Sequence, residues 1–156
     1  MEPKTVDQSA IVMTQVMMPQ DTNPAGNVHG GVIMKYIDNA AAVVASRHFR
    51  GNVVTVSIDH LVFLHPVYVG DVVYFKASTN LAASSSMEIG VRVEAENLKT
   101  GRIVHTASAY LTFVALDEEG RPCRIPELTP ETEDQRRRMA EAAQRRTERL
   151  AKRGGP

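Results

Sequence analysis

A single change of hydrophobic period constrains this chain more than any other feature. From Gly31 to about His48 the apolar positions Ile33, Ile37, Ala40, Ala41 and Val44 recur at helical spacing, while Lys35, Asn39 and Ser46 fall on another side. After the turn Arg50-Gly51-Asn52 the pattern becomes extended. VVTVSIDHLVFLHPV, GDVVYFKASTNL, SMEIGVRVEAEN and RIVHTASAYLTFVAL form four segments separated by Gly, Asn, Ser or Lys-Thr-Gly turns. The third alternates Met87, Ile89, Val91, Val93 and Ala95 against Glu88, Arg92, Glu94 and Glu96, which predicts one buried and one wet face. A further strand is expected within residues 10 to 18, AIVMTQVMM. Strands joined by short turns pair antiparallel, so a doubly wound sheet is excluded. The expected class is α+β, with a curled antiparallel sheet wrapped around one long central helix.

The organisation is one domain with a tail. The 156 residues, 43% of them apolar, supply one ordinary core, read as residues 1 to 125. Residues 126 to 156 are read as a charged C-terminal helical tail, with acids first and arginines later, as the helix dipole favours. Its few apolar residues predict a solvated helix. Lys plus Arg and Asp plus Glu balance at 18 each, so net charge gives no reason to expect a nucleic-acid or membrane partner. No stretch reaches the ~18 apolar residues of a spanning helix, and the N-terminus lacks a basic region followed by an apolar run. A single Cys123 excludes an internal disulfide and predicts a reducing compartment, the cytoplasm.

The chemistry centres on Asp38. It falls mid-helix within a largely apolar surface, where a carboxylate pays for desolvation. Taken alone it reads equally well as a structural aspartate paired with Lys35. Its neighbours add weight: His29-Gly30-Gly31 opens the helix, where unpaired backbone N–H groups can stabilise a developing oxyanion and glycines let a carbonyl come close. Two helical turns, about 10 Å, separate those donors from Asp38, so one helix cannot easily bring both to the same carbonyl. A dimer placing two helices side by side resolves the conflict.

The run Asn23-Pro24-Ala25-Gly26-Asn27-Val28-His29-Gly30-Gly31, then six residues, then Asp38, resembles the signature of hotdog-fold acyl-CoA thioesterases of the cytosolic, brain-type acyl-CoA hydrolase group. The likeness continues through Phe63-Leu64-His65-Pro66-Val67-Tyr68-Val69-Gly70-Asp71 and Ser85-Ser86-Met87-Glu88 and covers roughly residues 10 to 118. It implies a hotdog fold, hydrolysis of fatty-acyl-CoA to free fatty acid and coenzyme A, and a homo-oligomer, at least a dimer and in some relatives a trimer of dimers, with sites at the subunit interface. It puts the catalytic acid on Asp38, as general base or as nucleophile. It puts a water- or carbonyl-orienting amide on Asn23 and the oxyanion contact on Gly30 and Gly31. His29, Phe63, Pro66, Ser85 and Ser86 become substrate-binding candidates. No cofactor is expected, coenzyme A being part of the substrate.

Other residues read more plainly. His29 is expected to cap or brace its loop. His60, keeping company with Val56, Ile58, Val62 and Leu64, is expected in a core or interface, and His48 is expected to complement the helix C-terminus. No metal site is predicted, because His65 and His105 lack partners at ligand spacing. Gly90 is expected to mark a bend or bulge. Ser84, Ser85 and Ser86 lack the elbow of a serine hydrolase, and Cys123 lies beyond the last long strand. Two other functions fit the residues: a hotdog dehydratase or hydratase using His29 with Asp38, and a non-catalytic acyl-CoA-binding hotdog protein.

Overall fold

The computed structural model describes residues 1 to 154. Strand β1 (Lys4–Thr5) and β2 (Ile11–Val16) precede the long helix α1 (Gly30–Phe49); β3 (Asn52–Phe63), β4 (Val72–Ala82), β5 (Ser86–Glu96) and β6 (Ile103–Leu116) follow. A short β7 (Leu128–Thr129) and a second long helix, α2 (Glu133–Arg153), complete the chain. The main sheet has the order β2-β4-β5-β6-β3 with every neighbouring pair antiparallel. The expected strand order and the central helix are therefore present, and the fold is the hotdog. β1 and β7 form a small parallel pair that the sequence did not announce, two residues being too short for a periodic signal.

α1 fills the concavity of the sheet. Its apolar face, Ile33, Ile37, Ala40, Ala41, Val44 and Ala45, meets Val73, Phe75, Met87, Ile89, Val93, Leu111 and Phe113 in one continuous core. The small Ala40, Ala41 and Ala45 are fully buried, which lets the helix axis lie close to the strands. Tyr36 packs on Phe75 with ring centroids 5.6 Å apart. The helix stops at Arg50, which takes a left-handed conformation at φ 62° and returns its N–H to the Ser46 carbonyl.

The second helix departs from expectation. α2 lies across the outer face of the sheet rather than standing free in solvent. Thr132 caps it by accepting from the Gln135 N–H at 3.1 Å. Its docking is polar. Arg138 donates to Ser78, Arg149 to Asp59, and Arg145 makes two hydrogen bonds to Glu88 at 2.7 and 3.1 Å while stacking on the Tyr110 ring. Glu88, assigned by its alternation to the wet face, is therefore buried, its second partner being Asn80 Nδ2 at 3.1 Å. Scarcity of apolar residues had pointed to a solvated helix because the guanidinium contacts that replace them leave no periodic trace. Gly90 is also not a bulge: it pairs in register with Ser78 and Tyr110, and a Cβ there would meet Asn80 Nδ2 at 2.6 Å. The position is glycine because the Asn80 amide crosses it on the way to Glu88.

His48 is fully buried, with Nε2 2.8 Å from the Pro126 carbonyl and Nδ1 without a partner. Burial holds its pKa below the ordinary histidine value, the Lys4 charge adds to this, and the Pro126 bond opposes it. It is thus a neutral brace between α1 and the C-terminal segment, and Lys4, donating to the Arg47 and His48 carbonyls, supplies the cation at the helix end instead.

Two outcomes follow from this packing. The unfolded chain takes up a proton on His48 near pH 6.5 that the folded chain refuses, so this contribution to stability is complete above that value and fades as pH falls toward the lowered folded pKa. Thermal melts between about pH 7.5 and 5 should show a loss that His48→Gln flattens. Replacing Arg145 by Ala leaves Glu88 buried without its cation. Urea denaturation should report a loss of about 2–4 kcal/mol, most of it recovered when Glu88→Gln is combined with Arg145→Met.

Candidate active site

The loop that precedes α1 is built by short-range hydrogen bonds. Asn23 Oδ1 accepts from Ala25 N at 3.0 Å and Asn27 N at 3.2 Å, and Gly26, at φ 89°, closes the turn onto the Asn23 carbonyl. With Oδ1 committed, the Nδ2 hydrogens are the remaining capacity of that side chain. The loop is stitched to the segment after β3: Val28 N donates to the Val67 carbonyl at 2.7 Å, and Asn27 bridges Tyr68. That segment is held in turn by buried Asp71, whose Oδ2 accepts from Tyr68 N at 3.0 Å.

Between these two segments lies a cleft of about 430 Å³ whose walls include Asn23, Gly30, Ile33, Phe63, Pro66 and Val67. Four of the expected residues, Asn23, Gly30, Phe63 and Pro66, therefore meet in one place. The Phe63 ring lies over Gly30, so close that a Cβ there would sit 3.4 Å from it. The N–H groups of Gly30 and Gly31 open the helix and have no intrahelical acceptor, and both residues are exposed. His29 occupies the N-cap, yet its imidazole makes no capping bond. The bracing expected of that side chain is carried by its backbone, whose N–H donates to the Asp21 carbonyl at 2.9 Å.

Asp38 stands apart from this cleft, two turns further along α1. It is half-buried, and its Oδ1 accepts from Thr55 Oγ1 on β3 at 2.8 Å rather than pairing with Lys35. Thr55 is the partner of Asp38 that sequence reading missed, since a hydroxyl in a β-branched strand run carries no signal of its own. Ser85 and Ser86 are not in the cleft either. Ser85 accepts the Ala115 N–H through its carbonyl, and Ser86 opens β5 opposite Val114, which is itself opposite Val54 on β3. They thus share the Thr55 end of the sheet. His60 is not a core histidine: it is exposed, at φ 54° in an irregularity of β3, where the face it was expected to share has shifted. Among the described residues, no cluster of His, Cys, Asp and Glu is arranged to hold a metal ion, and no helix is long and apolar enough to cross a membrane.

A hotdog domain with glycine donors and a carboxylate on its central helix defines a class, and comparison with known proteins gives the family. Residues 25–102 match the model of the thioesterase superfamily. A Bacillus subtilis protein named as an uncharacterized acyl-CoA thioester hydrolase is 39% identical over 148 residues, covering 95% of this chain and 86% of its own. The chain belongs to the thioesterase superfamily. An apo-hexameric acyl-CoA thioesterase superposes with TM-score 0.95 at 35% identity, over the whole of both chains. A Staphylococcus aureus acyl-CoA hydrolase in complex with butyryl coenzyme A and coenzyme A superposes with TM-score 0.90 at 36% identity, covering 96% of this chain and 92% of the other. The same S. aureus enzyme has been solved with single Asn, Asp and Thr residues changed to Ala. The chain spans only 41% of the length of the rat cytosolic acyl coenzyme A thioester hydrolase, to which it is 38% identical.

The loop geometry separates two kinds of glycine. Gly26→Ala forces a Cβ into a left-handed position and should cost about 1–2 kcal/mol. Gly31→Ala meets nothing within 4 Å and should melt within a few degrees of the parent. Paired thermal melts of the two variants check the distinction.

Proposed function

We propose that the chain is an acyl-CoA thioesterase, releasing fatty acid and coenzyme A, and that Asp38 is its general base. The observation that carries this is the Thr55–Asp38 hydrogen bond, which fixes one carboxylate oxygen at 2.8 Å and leaves the other to accept a proton from water. In this reading water attacks the thioester carbonyl as Asp38 takes its proton. The backbone N–H groups at Gly30 and Gly31 receive the developing oxyanion, the Asn23 Nδ2 group orients the carbonyl or the water, and the thiolate of coenzyme A leaves. The apolar walls Val28, Ile33, Phe63 and Val67 suit the aliphatic parts of the substrate. No cofactor takes part in this scheme. The altered Asn, Asp and Thr of the S. aureus enzyme are separated by 15 and 17 positions, the separations of Asn23, Asp38 and Thr55, which supports assigning the three together.

The working unit in this proposal is a dimer. The helix donors and the acid of one α1 are about 10 Å apart along its axis, so the cleft of one protomer is completed by Asp38, Thr55, Ser85 and Ser86 of a second. The exposed Met34 and Val43 of α1 and the exposed Val54, Val56 and Ile58 of the edge strand β3 are apolar surfaces for such a contact. A trimer of dimers and a cytosolic setting are part of this proposal; hexameric relatives and the name of the rat protein support them. Residues 1 to 125 are proposed as the thioesterase domain and 126 to 156 as its C-terminal extension.

Asp38→Asn should abolish turnover while acyl-CoA affinity stays within a few-fold, because an amide keeps the shape but accepts no proton. Thr55→Val and Asn23→Ala should cost less, about 10- to 1000-fold in kcat. Single turnovers in ¹⁸O water should label the fatty acid alone. Label appearing first in the Asp38 carboxylate would assign it as nucleophile, and near-parental turnover by Asp38→Asn would remove both roles.

A further inference from the structure

Thr55, which holds the acid, borders a bulge in β3. Between Thr55 and Ser57 the strand advances two residues while β6 advances one, so Val56 is an extra residue with nothing opposite it. Side chains of a regular strand alternate between faces, which puts residues two apart on the same face. The extra residue breaks that rule. Thr55 is opposite Phe113, a core residue, and reaches Asp38 on α1. Ser57 is opposite Thr112, which is itself opposite Glu88, the partner of Arg145 on α2. One strand thereby offers a hydroxyl to each of the two helix-bearing faces.

A bulge interrupts the backbone ladder, so side-chain contacts carry more of the task of fixing its geometry. β3 is moreover an edge strand, with β6 as its single neighbour within the protomer. On the outer face Ser57 Oγ donates to Asp59 Oδ2 at 3.4 Å, and Arg149 donates to the same oxygen at 3.3 Å. Asp59 is opposite Tyr110, and the Arg145 guanidinium lies 3.7 Å from the centroid of that ring while donating to Glu88 on β5. Arg145 and Arg149 are one helical turn apart and so project from the same side of α2. α2 therefore reaches from β5 across β6 to β3, and ties the edge strand to the middle of the sheet at the residues that follow the bulge. Among the described residues, Arg149 to Asp59 is the ion pair that joins α2 to β3.

We propose that Arg149 is a positioning residue for hydrolysis. Through Asp59 and Ser57 it holds the outer side of the bulge, and so sets the direction in which Thr55, on the inner side, delivers its hydroxyl to Asp38. The proposal rests on the reading of Asp38 as the base and carries the support of that acid from Thr55 through the sheet to the C-terminal helix. Arg149 touches no substrate in this scheme, so its loss acts on kcat and leaves KM.

The experiment is a double-mutant cycle in the full-length protein, read by steady-state hydrolysis of acyl-CoA. Arg149→Gln is expected to lower kcat about 10-fold with KM within about two-fold, and Arg149→Lys, which keeps a cation for Asp59, to recover most of the loss. In a Thr55→Val background the same Arg149→Gln change should have no further effect on kcat, because the group it positions is gone. Equal fold-losses in the two backgrounds, an unchanged kcat, or a change confined to KM each overturn the proposal. Amide hydrogen exchange gives a readout independent of turnover: residues 53 to 58 should exchange faster in Arg149→Gln while the core of α1 from Ala40 to Val44 keeps its parental protection. Unchanged exchange at the bulge rejects the brace, and so does a general quickening that includes α1. Should Arg149→Gln fail to fold, Asp59→Asn, which removes the charge that Arg149 meets and keeps an oxygen for Ser57, takes its place in the same cycle. If Thr55→Val turns over like the parent, the reading of the acid and its support fails while the exchange measurement still tests the brace.

Discussion

The burial of one face of α1 against the sheet is the contact on which the rest of the molecule depends. Ile33, Ile37 and Val44 supply apolar area, each worth about 1.5–3 kcal/mol on burial, while Ala40, Ala41 and Ala45 set how near the helix lies to the strands. That packing fixes the rotation of the helix about its axis. Once the apolar face is turned inward, Asp38 comes out half-buried beside β3, within reach of Thr55, and Gly30 at the N-terminus is presented to the cleft beneath Phe63. Asp38 and the helix N-terminus hold their places because their neighbours on the same helix are core.

This explains what could be read from the residues. The helix, the four long strands and their antiparallel order follow from periodicity and turn chemistry, both properties of neighbouring residues. The turn from Asn23 to Asn27 was legible for the same reason, since the Asn23 hydrogen bonds that shape it span two to four residues. Contacts between residues far apart in the chain were not legible. Thr55 meets Asp38 across 17 positions and Arg145 meets Glu88 across 57, and a Thr in a strand or an Arg in a polar helix carries nothing to announce its partner. His60 and His48 depart from their patterns in opposite directions. The core position that strict alternation offered His60 is lost at the irregularity in β3, which leaves the interface position also expected of it, and the charge expected of His48 at a helix end is withdrawn by burial.

The two helices attach to the same sheet by different physics. α1 is held by apolar burial, which charge screening does not weaken. α2 is held by arginines whose partners lie on β3, β4 and β5, with the Glu88 pair buried and the Asp59 pair more open. Buried Gln135 and Ala142 are its inward-facing contacts, and Gln135 reaches Asp7 near the start of the chain. With β1 paired to β7, the N-terminal residues are tied to the segment that leads into α2. The extension is therefore integrated with the fold through polar contacts, and ionic strength acts on its docking in a way it does not act on the core.

In the proposed dimer these attachments divide the labour of one reaction. Hydrolysis of a thioester needs a donor set where the oxyanion forms and a base on the far side of the same carbon, and a single straight helix presents its N-terminus and its eighth or ninth residue in line rather than around a point. Two antiparallel copies remove that constraint, because the mid-helix acid of one then lies beside the N-terminus of the other. The requirement falls on the surfaces that α1 and β3 leave uncovered, Met34 and Val43 on the helix and Val54, Val56 and Ile58 on the edge strand. Because Thr55 lies on that same strand and already holds Asp38 within one protomer, the orientation of the acid is set before any partner arrives. Assembly in this scheme then joins two half-sites that are each formed beforehand, the acid of one protomer and the helix donors of the other.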